Sequence, residues 1–327
     1  MIIDMHCHAY PRSVAEIVNG RLAHHGLAVP NIPVFDPDEY VRALDRAGVD
    51  IAVLSLPGPL PDSLPDPAER LRFAREVNDL YAAAIARHPD RFRAFGRVPL
   101  VDREAGPQEL RRCIADLGLS GVTLPTNVLD RYLDTPEFDP FWEEADRLRT
   151  ICFLHPLNFS CSPALQDYDL LTRIGWPADS ALAVGRIVLS GHRDRFPNAT
   201  LLVSHLGGMI PTYLARLSWA TGSPKCACHP EVYFRSFYYD TAGEVRAPSI
   251  KAVTELIGLD RVVYGSDYPF GQAPFSGEPP TTRLPPGYVF GETLRAIDAL
   301  DLPEESKNKI RFGNAQRLLG LSSTVER

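Results

Sequence analysis

The chain has 327 residues and a mass of 36.2 kDa, enough for one large domain or two ordinary ones and for a sizeable buried core. Hydrophobic residues make up 45% and charged residues 23%, which excludes a disordered or fibrous architecture. Thirty-four basic against 41 acidic residues leave a net charge of −7 and a pI near 5.7, so nucleic acid is set aside as a partner, because polyanion binding needs a basic surface.

No stretch approaches the roughly 18 consecutive apolar residues of a membrane span. Asp4, His6 and His8 interrupt the start of the chain before an apolar signal segment can form, so the expected compartment is the cytoplasm, away from membranes. Cys7, Cys113, Cys152, Cys161, Cys226 and Cys228 are too sparse for a disulfide framework and read as reduced thiols.

Short β-rich runs alternate with helix-period segments along almost the whole length. In chain order, strands are expected at residues 2–6, 49–55, 92–98, 121–124, 151–154, 201–204, 237–240 and 262–265. Amphipathic helices are expected at 37–47, 67–87, 108–117, 138–149, 178–196, 210–219 and 249–256, with a last one at 304–319. Asp36 before Pro37 and Asp66 before Pro67 suit helix starts, where a side-chain acceptor and a following proline fit the first turn. Eight strand and helix units predict an α/β fold, a (β/α)8 TIM barrel, as a single domain over residues 1–327. Two segments exceed the barrel: an insertion at 10–35 after the first strand, and a Pro- and Gly-rich loop at 271–287 after the last. Loops that follow barrel strands lie on the catalytic face, so both are candidate covers for it.

The densest local signal is Asp4-Met5-His6-Cys7-His8 on the first strand. Side chains alternate along a strand, so His6 and His8 project to one side, and Asp4 shares their parity and is expected below them. His155 ends the fifth strand, His205 ends the sixth, and Asp267 follows the eighth. Barrel strand ends converge on one rim, so these five groups can share one pocket. Neutral imidazoles and a carboxylate suit Zn2+ or a similar divalent ion, and a catalytic site keeps one position open. Such an ion lowers the pKa of bound water from about 15.7 towards 7. Cys226-Ala227-Cys228-His229 lacks the partner pair that structural zinc requires and reads as a loop with free thiols. Tyr268 and Phe270 flank Asp267 and are candidates to pack against a planar substrate.

These residues stand in longer motifs: Ile3-Asp4-Met5-His6-Cys7-His8, Arg97-Val98-Pro99-Leu100, Leu154-His155-Pro156, Ser204-His205-Leu206-Gly207-Gly208, Val263-Tyr264-Gly265-Ser266-Asp267-Tyr268-Pro269-Phe270 and Phe312-Gly313-Asn314-Ala315. Through them the chain resembles, over most of its length, the amidohydrolase superfamily and within it the aminocarboxymuconate-semialdehyde decarboxylase-like family. The resemblance implies an amidohydrolase-type barrel. It also implies a metal held by His6, His8, His155 and Asp267, with His205 as the acid/base residue beside it. Many amidohydrolases bridge two metals with a carboxylated lysine on the fourth strand. Here the lysines are Lys225, Lys251, Lys307 and Lys309, none near residues 121–124, so one ion is favoured, zinc first and manganese as the alternative.

Two departures bear on specificity. The family's arginine ahead of the first helix, which meets a substrate carboxylate, has no counterpart in residues 26–40, and the family's His-Pro-Trp-Asp reads His155-Pro156-Leu157-Asn158. Arg12 and Arg21 in the first loop are candidate replacements. The leading expectation is a metal-dependent, non-oxidative decarboxylase of a small unsaturated or aromatic carboxylic acid, with His205 moving the proton and Asp267 both ligating and tuning water acidity. The same ligands would serve a hydrolase of a lactone, ester or amide. The partner is a small-molecule acid, and the apolar segment 210–219 is a candidate homodimer contact.

Overall fold

A computed structural model describes residues 1–16, 33–58, 60–156, 163–165, 167–168, 170–219, 225–243, 246–270 and 288–321. Eight parallel strands follow one another around a barrel in chain order: β1 (Ile3–His8), β2 (Ile51–Ser55), β3 (Phe92–Gly96), β4 (Gly121–Pro125), β5 (Ile151–His155), β6 (Thr200–Val203), β7 (Tyr238–Asp240) and β8 (Val262–Val263). The residues after β8 close the ring on β1, with Met5 N donating to Tyr264 O at 2.9 Å and His8 N to Tyr268 O at 2.7 Å. The strands read as nearly continuous apolar runs because both faces are covered. Ile51, Val53, Phe95, Ile151, Phe153, Leu202 and Val263 fill the interior. Ala52, Leu54, Val122, Leu124, Cys152, Leu154 and Val203 face the helices.

Local chemistry sets the helix ends. Helix α1 (Pro37–Ala47) starts where Asp36 accepts from Asp38 N and Glu39 N, and stops at Gly48, whose φ of 68° an L side chain would resist. Helix α2 (Pro67–Arg87) is capped likewise by Asp66. The expected helix at 178–196 is two, Trp176–Leu189 and His192–Arg195, divided at Gly191 with φ 77°. Of the segment 210–219 only Leu214–Leu217 is α-helical, after a run of turns through Pro211. The segment 304–319 is interrupted by a π-turn at Lys309–Gly313. Helix Tyr288–Asp298 was not expected, because Gly287 and Gly291 break up its apolar period. Most of the insertion, residues 17–32 with Arg21, and the loop 271–287 lie outside the described residues.

Strand β1 carries a bulge that corrects one expectation. Ile3 and Asp4 pair with Ile51 and Ala52, and Cys7 and His8 with Leu54 and Ser55, so Met5 and His6 together oppose Val53 alone. The extra residue shifts the phase of alternation. Asp4 is therefore not beneath His6 and His8; it shares the outward register of Ala52 and accepts from Ser266 Oγ at 2.5 Å and from Ser266 N and His6 N at 3.1 Å.

Asn78 on α2 holds the end of β3. Its Nδ2 donates to Arg97 O and to Glu109 Oε1, each at 2.8 Å, and its Oδ1 accepts from Arg97 N at 2.7 Å. All of these groups are buried, so Asn78→Ala strands both main-chain atoms of Arg97. The expected loss is about 2–4 kcal/mol of unfolding free energy. Denaturant titration should find it as a lower midpoint at unchanged slope.

Candidate metal centre

Three histidines converge through their Nε2 atoms because each Nδ1 is engaged elsewhere. His6 Nδ1 faces Asp240 Oδ2 at 2.9 Å, His8 Nδ1 faces Ser55 Oγ at 2.9 Å, and His155 Nδ1 faces the carbonyl of Pro156 at 2.7 Å. His6 Nε2 and His8 Nε2 then stand 3.2 Å apart and lie 3.3 Å and 2.9 Å from Asp267 Oδ1. His205 Nε2 is 3.7 Å from Asp267 Oδ2. The rings of His155 and His205 each pack edge-on within about 5 Å of His6, at 5.1 Å and 5.0 Å between centroids.

The cluster fits a divalent ion on its own chemistry. One donor atom each from His6, His155, His205 and Asp267 lies within 4.8 Å of the others. The Nε2 separation of His6 and His8 matches the roughly 3.1–3.4 Å expected of two nitrogens bound to one ion. His155 Nε2 is buried with no hydrogen-bond partner, which is costly unless a ligand fills the place. Electrostatics ask for positive charge at the same point. Burial alone would strip a proton from His6, but Asp240 and Asp267 outweigh it and raise its pKa to about 10. Burial takes His8 the other way, to about 4, and puts His155 well below its ordinary value, helped by the neighbouring imidazoles. Burial would raise Asp267, but hydrogen bonds from His205, His6 and His8 hold its carboxylate well below the usual range.

Asp240, at the end of β7, is the functional residue that the sequence reading passed over. Besides facing His6 it accepts, through Oδ1, from His205 N and Ala242 N, both at 3.0 Å. Its signal was a carboxylate closing a barrel strand, the same signal that marked His155. Gly265 lets β8 approach this pair: a Cβ there would lie 2.7 Å from His6 Cβ and 3.1 Å from Asp240 Cβ. His205, Leu206 and Asp267 adopt left-handed φ values of 54°, 52° and 65°, a strain of about 1–3 kcal/mol each that persists where surrounding bonds impose it. Only His205 and Asp267 keep notable exposure, 17% and 21% of their side chains, so the centre opens on their side.

The other candidates fall differently. Phe270 packs on His8 at 5.6 Å and on Tyr10 at 6.1 Å, forming a wall beside the centre. Tyr268 packs on Tyr40 at 5.1 Å and lines a cavity of about 480 Å³ that reaches His8, with Arg42 and Arg46 on its α1 side. Arg12 is exposed and pairs with Glu16 at 3.9 Å. Cys226 and Cys228 are free thiols, as are the buried Cys7, Cys113 and Cys152. No described helix is long and apolar enough to cross a membrane.

Known proteins resemble this chain in sequence and in fold. The amidohydrolase family model matches residues 3–321. The 2-amino-3-carboxymuconate-6-semialdehyde decarboxylase of Dictyostelium discoideum is 30% identical over 88% of this chain and 77% of its own. The crystal structure of 5-carboxyvanillate decarboxylase from Sphingomonas paucimobilis superposes with a TM-score of 0.84 at 25% identity, covering 98% of this chain and 99% of that one. A dihydroxybenzoic acid decarboxylase from Polaromonas sp. JS666, solved with manganese and 2-nitroresorcinol, gives a TM-score of 0.81 at 24% identity over 99% of this chain and 98% of that one, a likeness of fold.

Asp240→Asn keeps the size of the side chain but lets an amide donate to His6 Nδ1, which places the ring proton on Nε2. Divalent-metal affinity is expected to fall 10- to 100-fold, read by competition with a chromophoric chelator. Unchanged affinity would remove Asp240 from the centre.

Proposed function

The chain belongs to the amidohydrolase family, and on that premise we propose that it is a metal-dependent, non-oxidative decarboxylase of a small aromatic or unsaturated carboxylic acid. The observation that carries the reading is the convergence of His6, His8 and His205 on Asp267, with the orphaned Nε2 of His155 in the same cluster, in a chain 30% identical to a decarboxylase. His6, His8, His155 and Asp267 are the proposed ligands. Three nitrogens and one carboxylate oxygen suit zinc, and manganese is the alternative occupant. When bound, the ion supplies Lewis acidity that polarises substrate or water oxygen.

The chain's own residues do the rest. In decarboxylation the C–C bond to the carboxylate breaks, CO2 leaves, the electron pair stays on carbon and a proton must arrive there. His205 is the proposed proton carrier, since its Nε2 sits on the exposed side of the cluster and its backbone is pinned by Asp240. Asp267 holds His205 and the metal-binding imidazoles in one array and tunes the acidity at the open position. Phe270 and Tyr10 exclude water beside His8, and Tyr268 borders the cavity where the planar part of a substrate can lie. Arg12 and Arg21 are the weaker substrate candidates, because Arg12 turns to Glu16 in solvent.

The test is CO2 release from candidate aromatic acids by metal-loaded and chelated protein. Release that stops on chelation and returns with Zn2+ or Mn2+ is expected, and His205→Asn should lower kcat by about 10²–10⁴-fold while metal content is kept. Acid production from a lactone or ester without CO2 would replace this reading with the hydrolase one.

A further inference from the structure

The Nδ1 partners of the three buried histidines differ in kind. The Asp240 carboxylate and the Pro156 carbonyl can only accept a hydrogen bond, so they hold the ring hydrogen on Nδ1 of His6 and of His155. Ser55 Oγ, 2.9 Å from His8 Nδ1, belongs to a hydroxyl, which can donate or accept. The direction of its hydrogen therefore decides the tautomer of His8. That hydrogen is directed elsewhere: Ser55 Oγ donates to Cys7 O at 2.8 Å. A hydroxyl carries one hydrogen, so towards His8 the oxygen presents lone pairs, and Nδ1 carries the hydrogen there too. Nε2 of His8 is left with its own lone pair, facing the cluster.

The bulge in β1 creates this meeting. Ile3 and Asp4 pair with Ile51 and Ala52, and that register carried forward without the extra residue would set His8 against Leu56, whose side chain is hydrocarbon. With the bulge His8 pairs with Ser55, and Ala9 N donates to Ser55 O at 3.0 Å, closing the strand pair just beyond the two side chains. Ser55 is 0% and His8 2% exposed, so bulk water does not reach either to take over the hydroxyl's place. A buried imidazole N–H left without an acceptor is costly, and the ring escapes that cost only by turning or by moving its hydrogen to Nε2.

We propose that Ser55 is a positioning residue for the metal ion: by accepting from His8 Nδ1 it holds that imidazole in the tautomer and orientation that present Nε2 as a donor atom. It acts through His8 and touches neither ion nor substrate. Loss of such an outer partner weakens metal binding by about 10- to 100-fold, because the ring then samples the wrong tautomer and the wrong orientation. The inference rests on the reading of His8 as a metal ligand and is independent of which reaction the ion serves.

Ser55→Thr and Ser55→Val have nearly equal volume and differ by one hydroxyl, so comparing them isolates the hydrogen bond. Zn2+ affinity, read by competition with a chromophoric chelator, is expected within about threefold of wild type for Ser55→Thr and about 10- to 100-fold weaker for Ser55→Val. Repeating the pair on His8→Ala tests the route: with the imidazole gone, the two variants should bind Zn2+ equally. Equal affinities of the two on the wild-type background, or a difference that persists without His8, overturn the proposal, and the second result would assign Ser55 to strand pairing alone. If the added methyl prevents both from folding, Ser55→Ala against unaltered Ser55 in the same two backgrounds decides by the same criteria. A Zn2+ affinity that His8→Ala leaves unchanged would take His8 out of the ligand set and this proposal with it. A hydroxyl-dependent affinity with no CO2 released from any acid would leave the role of Ser55 standing and remove the decarboxylase reading alone.

Discussion

The Asp240 carboxylate links two elements that the proposed chemistry needs in fixed relation. One oxygen sets the tautomer of His6 and thereby aims Nε2 at the centre of the barrel; the other accepts from the backbone of His205, held in a left-handed conformation. A single buried group thus fixes both the proposed ligand on β1 and the proposed proton carrier after β6. The cost of desolvating it is offset only if His6 Nδ1 and both backbone donors stay in place. That coupling explains why the rim tolerates strain at His205, Leu206 and Asp267: the bonds that impose it also hold the centre together.

The barrel supplies this arrangement cheaply. Parallel strands bring residues more than 200 positions apart to one rim, and each contributes one or two side chains, so the site is built from strand ends, not from a long motif. The same geometry divides the rim into two arcs. Asp267, Asp240 and the His6 to His8 pair lie on the side of β7, β8 and β1. The side of β3 to β6 carries His155 with hydroxyls and a guanidinium.

Much of this was legible in the sequence. Eight apolar runs gave the barrel, and polar residues closing those runs, His155, His205 and Asp267, stood out because little else polar belongs at a strand end. Asp240 closes its run in the same way and was missed because it belongs to none of the motifs that carry the family resemblance. The outward turn of Asp4 was not legible, since strict alternation assumes an unbroken register and nothing in Asp4-Met5-His6-Cys7-His8 announces a bulge. Gly191 and Pro211 broke helices that apolar periodicity alone drew as continuous.

The bulge in β1 sets two demands on the chain against each other. Removing one residue between Asp4 and Cys7 would restore regular pairing with β2, yet it would leave a single residue where Met5 now plugs the floor and His6 reaches the rim. Sheet regularity and the proposed ion site cannot both be optimised on this strand. Any descendant sequence that tidies its first strand is expected to keep the barrel and surrender the chemistry.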